Sequence, residues 1–117
     1  MPRAHPLVFL LAITACSRPE PIAFDPNNDA HCVLAFLETE EAAREGGGAE
    51  LAKGMAFRAD WARQAAKAKG EVLSDGQTTS LNEYLRRGAR EGSESTIACR
   101  HRQNADPSFP RQAVPYA

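Results

Sequence analysis

Two histidines and two cysteines stand in close pairs in this chain, His31 beside Cys32 and Cys99 two residues before His101. Imidazole and thiolate are the ligands of tetrahedral zinc, so four such groups brought together by folding would form a structural metal site. The spacing speaks against it. Neighbouring residues on a helix point ~100° apart, so His31 and Cys32 diverge, and a C-x-H pair lacks the usual gap of about two to four residues. Nucleophilic catalysis fares no better, because no G-x-S-x-G elbow occurs and both of these histidines adjoin cysteines. The neighbouring carboxylates Glu40 and Glu41 would diverge on a helix and read as a solvated face. Gly46-Gly47-Gly48 lacks the Lys-Ser/Thr of a phosphate loop, and no EF-hand, zinc-protease, C-x-x-C or dinucleotide signature is present. No catalytic residue, metal or cofactor is expected, and the chain reads as a non-enzyme.

The amino-terminal residues carry a different kind of chemistry. Arg3 and the amino terminus supply positive charge, and residues 7–15 (LVFLLAITA) form an apolar stretch. As a helix these nine residues span only ~13 Å, too short for a ~30 Å hydrocarbon core, which fits a cleaved export signal rather than an anchor. Ile13-Thr14-Ala15-Cys16 resembles the lipobox of bacterial lipoproteins, in which an aliphatic residue and two small ones precede the cysteine read by the lipoprotein signal peptidase. The resemblance covers the leader alone. It implies cleavage before Cys16, acylation of its thiol, and a lipid-anchored protein in the periplasm or outer membrane of a bacterium. The competing reading is ordinary cleavage after Ser17, with Ala15 and Ser17 at the recognised positions.

With Cys16 acylated or removed, Cys32 and Cys99 remain, and an exported chain reaches an oxidising compartment in which they pair. Closing 66 intervening residues would stabilise by ~4 kcal/mol through loop-closure entropy.

The length of 117 residues leaves room for one domain. Ala, Arg and Glu are abundant while aromatic and β-branched residues are few, which favours helix. A net charge of −1 is unlike that of a nucleic-acid binder, so no nucleic acid is expected as a partner. The charge is nevertheless uneven. Glu38, Glu40, Glu41, Glu45 and Glu50 make the first half acidic, and Arg86, Arg87, Arg90, Arg100, Arg102 and Arg111 make the last third basic.

Those groups must be positioned by helices. Asn28 or Asp29 caps a first helix over residues 29–45, ended by Gly46-Gly47-Gly48, with Cys32, Phe36, Thr39 and Ala43 on one face and Val33, Leu34 and Leu37 widening it. A second helix runs over residues 49–69 and closes at Gly70. Its apolar arc holds Leu51, Met55, Trp61, Ala62 and Ala65, with Phe57 and Ala68 at the margin, and Arg58 falls inside that arc. Ser74-Asp75-Gly76 reads as a turn. Ser80 and Glu83 make an S-x-x-E capping box opening a third helix, with Leu81, Tyr84, Leu85 and Ala89 inward, Gly88 permitting close approach and Gly92 as its end. A fourth helix, capped by Ser93 or Ser95, carries Ile97 and Cys99 and stops before Asp106-Pro107.

The expected protein is all-α: a small three- to four-helix bundle with one disulfide, preceded by a cleaved signal peptide. Its parts are a signal peptide (1–15), a lipidated cysteine and extended tether rich in proline (16–28), a helical domain (29–105) and an irregular proline-containing tail (106–117). The leading functional reading is a noncatalytic module tethered to the membrane through acylated Cys16 that binds another envelope protein or serves a structural role at the cell surface. The alternatives are a binder of an anionic envelope component, using Arg58 with Trp61 or the Arg86, Arg87 and Arg90 cluster, and a small stress chaperone.

Overall fold

The computed structural model describes residues 18–115 except residue 88, and the side chains of residues 89–91 are outside the described set. Four α-helices follow one another: α1 (Asp29–Glu45), α2 (Ala49–Lys69), α3 (Asp75–Arg87) and α4 (Ala89–Ala105), with a 3-10 turn at Arg111–Ala113. Among the described residues there is no strand. The all-helical expectation and the Cys32–Cys99 disulfide are both present. Cys16, the leader and Gly88 lie outside the described residues.

α1 is the hub and packs against the other three helices. Asn28 caps it, its Oδ1 accepting from the His31 amide at 3.2 Å. Cys32, Val33, Ala35 and Phe36 form its buried face, and they meet Met55, Ala59 and Ala62 of α2 and Leu85 of α3. The buried row of α2 is Ala52, Met55, Ala59, Ala62 and Ala66, so the helix is rotated from the arc expected and Ala68 is exposed. Small side chains at spacings of three and four let α1 and α2 approach closely. Gly70 ends α2 in the left-handed conformation at φ 71°, where a Cβ would be strained.

The third and fourth helices depart from expectation at their boundaries. α3 begins at Asp75, five residues before Ser80, because Ser74 and Gln77 form the capping box: the Gln77 amide donates to Ser74 Oγ at 3.1 Å and the Ser74 amide to Gln77 Oε1 at 3.0 Å. Ser80 lies inside the helix and donates its hydroxyl to the carbonyl of Glu20. Gly92 does not end a helix. It lies within α4, where a Cβ would come 2.7 Å from the carbonyl oxygen of Leu85, so the glycine serves the crossing of α3 and α4. Ser93 and Ser95 are likewise interior to α4, and Ile97 is exposed because it lies ~200° around the helix from buried Cys99.

The two non-helical flanks lie on the bundle. Residues 19–25 carry no helix, as Pro19 and Pro21 favour, and Phe24 packs on the core near Tyr84 and His31. In the carboxy-terminal segment, Phe109 and Val114 are buried.

Candidate functional site

Polar side chains are buried at one end of the bundle, where the start of α1 meets the end of α2 and the end of α4. Two buried charges organise it. Asp29, the first residue of α1, is 3% exposed. Its carboxylate takes Lys69 Nζ of α2 at 2.6 Å on one oxygen and an Nη of Arg102 of α4 on the other. Arg102 also donates Nε to the Pro26 carbonyl at 2.6 Å, and the Asp29 amide donates to Glu71 Oε1 at 3.0 Å. A carboxylate with two cations has its charge answered on the spot, and the three residues tie three helices together beside the disulfide.

Arg58, 2% exposed, is handled differently. One Nη donates to Gln103 Oε1 at 3.0 Å and to Asn104 Oδ1 at 3.1 Å, and the guanidinium carbon lies 5.2 Å from the centre of the Phe109 ring. Gln103 returns the contact by donating Nε2 to the Arg58 carbonyl at 3.0 Å. Among the described residues no carboxylate is bonded to it. Burial first, then Arg100, then Arg111 lower its pKa from the ordinary arginine value to about 10, so the group stays charged at neutral pH with two like charges nearby. Neutral amides and an aromatic face supply its stabilisation. The guanidinium neither reaches solvent nor meets a carboxylate of α1 among the described residues.

Trp61 stands beside this group. Its ring and that of Phe57 both meet Phe109 edge-on, at 5.4 and 6.2 Å between centroids. Trp61 also walls a cleft of about 230 Å³ with Asp29, Lys69, Arg102, Gln103 and Asp106. Asp106 accepts from the Ser108 amide and hydroxyl, which holds its carboxyl below the ordinary 3.8 and leaves it ionised, unsuited to donating a proton. The cleft therefore offers charge and hydrogen bonding rather than an acid–base pair.

Arg86 and Arg87 stand on α3 instead. Arg86 donates Nε to Glu38 of α1 at 3.1 Å, Arg87 is exposed, and the side chain of Arg90 lies outside the described residues. The structure thus brings Arg58 and Trp61 together around Phe109 and puts Arg86 on an ion pair with α1. His31 is buried, its Nδ1 accepting from the Asp25 amide at 2.9 Å, while His101 is exposed and the Cys32 and Cys99 sulfurs are bonded to one another. Burial lowers the His31 pKa from 6.5, against the raising influence of Asp25 and Glu71. Among the described residues, no group of three or more His, Cys, Asp or Glu is placed to hold a metal ion.

Gln103 and Phe109 are not singled out by the sequence, and Asp29 and Arg102 stand out there only as a cap candidate and as part of the basic last third. Phe109, a large aromatic between Ser108 and Pro110 in the proline-containing tail, nevertheless carries a visible signal of burial. No family model matches the chain, and no curated protein and no solved structure matches it.

Proposed function

We propose that the chain is a bacterial lipoprotein whose leader, residues 1–15, is removed on export and whose Cys16 is acylated. On this reading the helical part is a noncatalytic module of the cell envelope that binds another envelope protein. The observation that carries the reading is cysteine usage. Of three cysteines, Cys32 and Cys99 are joined, which leaves Cys16 as the unpaired thiol, and it follows the apolar stretch and Ile13-Thr14-Ala15. A disulfide closing so long a loop also suits an exported chain. Intact mass of the protein from its native membrane tests this. The expected mass is that of residues 16–117 plus acyl chains minus two hydrogens; a mass corresponding to the uncleaved chain, or to cleavage after Ser17, overturns it.

A second reading, a binder of an anionic envelope component, is favoured by the buried Arg58 with Arg100 and Arg111 near it and, among the described residues, no bonded carboxylate. Trp61 and Phe109 would shield such a ligand from water. Anionic glycans and lipid headgroups screened by melting temperature should raise the midpoint for wild type and not for Arg58→Met; a flat screen removes this reading.

A further inference from the structure

The described chain begins strapped to the bundle rather than hanging from it. The Glu20 amide donates to the Gly76 carbonyl at 3.0 Å, Ser74 Oγ donates to Glu20 Oε2 at 3.1 Å, and Ser80 bonds the Glu20 carbonyl. A Cβ on Gly76 would sit 2.5 Å from the Arg18 carbonyl oxygen, so the strap lies directly on the first turn of α3. The twelve residues after Cys16 that the sequence offers as a loose tether are therefore mostly spent along the protein surface. Cys16 is two residues before Arg18, and two residues of extended chain reach at most ~7 Å.

The loop that enters this same turn carries Val72, two residues before Ser74. Val72 is 83% exposed, against 45% for Ile97 and 37% for Leu37. With Ala30, Val33 and Ala66 it edges a shallow, mainly apolar depression of about 330 Å³, rimmed by two cations, Arg63 and Lys67, and one carboxylate, Glu71, which also accepts from the Asp29 amide. An apolar side chain on a loop tip, cations behind it and an acylated residue a few ångströms from the neighbouring strap are the components of a bilayer contact. A single valine is too small to bind a membrane from solution. Once acyl chains hold the protein there, its insertion becomes an intramolecular step at high effective concentration.

We propose that the loop at residues 70–74 rests on the bilayer that holds Cys16, with Val72 in the headgroup–acyl boundary and Arg63 and Lys67 facing lipid phosphates. The proposal rests on the reading that Cys16 is acylated, and it fixes which end of the bundle faces the membrane. The glycine turn after α1, ~25 Å away along that helix, then faces the aqueous side.

The test uses the acylated mature protein in vesicles of phosphatidylethanolamine and phosphatidylglycerol. Val72→Cys supplies the sole free thiol for a nitroxide label, and Glu45→Cys at the far end of α1 is the control. The oxygen-to-nickel accessibility ratio should be several-fold higher at position 72 than at 45. Adding Gly76→Ala, which displaces the Arg18 backbone and frees the strap, should bring the ratio at 72 towards the control. Equal ratios at the two positions, on protein whose mass shows acyl chains and which floats with the vesicles, overturn the docking face and leave the anchor intact. A mass without acyl chains, with protein that does not float, overturns the anchor and the docking face together.

Discussion

Asp29 and Arg58 are both buried charges at one end of the same bundle, yet the fold treats them in opposite ways. Asp29 receives two cations from two other helices, so its charge is cancelled where it stands. Arg58 receives two amide oxygens and an aromatic face, and the charges of Arg100 and Arg111 act against it. The first arrangement is a lock: removing one member strands the others. The second holds a cation without neutralising it, which leaves positive potential at the Phe109 end of the molecule. A buried charge is therefore informative only together with what answers it.

The comparison can be broken from the Asp29 side first. Replacing Cys32 and Cys99 by Ser removes the staple next to the Asp29 lock, and loop-closure entropy over a separation of 67 residues predicts a loss of ~4 kcal/mol, read as a lowered urea midpoint. Asp29→Asn should cost about 3 kcal/mol, at the low end for a broken buried pair because Lys69 is half exposed and keeps much of its hydration. Arg58→Met keeps the stem but leaves two amide oxygens without their donor while relieving repulsion from Arg100 and Arg111. Its cost should be smaller, ~1–2 kcal/mol, and if it exceeds that of Asp29→Asn under the same urea titration the distinction between the two charges fails. Arg100→Ala sharpens the contrast: relieved of one like charge, the protein should be unchanged or more stable by up to ~0.5 kcal/mol.

The smallest effect concerns His31, which lies under the same end. Its folded pKa is below the ordinary 6.5, so on acidification the unfolded chain takes the proton first. Its contribution to stability is complete above 6.5 and is lost as pH falls through that value towards the folded pKa. Urea midpoints should therefore decline between about pH 7 and pH 5, and His31→Gln should flatten that decline. A midpoint that rises on acidification in wild type but not in His31→Gln contradicts the assigned burial of a neutral imidazole.

Much of the fold was legible because its punctuation is local. Asn28 and the glycine run bound α1, and Gly70 bounds α2, since capping and left-handed termination depend on a few contiguous residues. The same logic misplaced the start of α3, because two nearby segments, Ser74 to Gln77 and Ser80 to Glu83, both match a capping box and only the first finds its reciprocal bonds. Gly92 was misread as a stop because a glycine needed for backbone crossing has the same letter as one needed for a turn. At the candidate site, helical periodicity placed Arg58 among apolar residues, which flagged it. Its partners come from α4 and the tail, more than forty residues away, and no local pattern announces them.

The sequence by itself determined that the described chain is helical, where α1 and α2 begin and end, and that Arg58 falls within an apolar arc, because propensity, capping and period act over a few turns. Only the tertiary structure decided that Asp29 is answered by Lys69 and Arg102, that Arg58 is answered by amides and Phe109, and that residues 18–20 lie on α3. Those outcomes depend on which distant groups arrive within ~3 Å of one another, and hydrogen bonds and ion pairs are short-ranged in space but indifferent to separation along the chain.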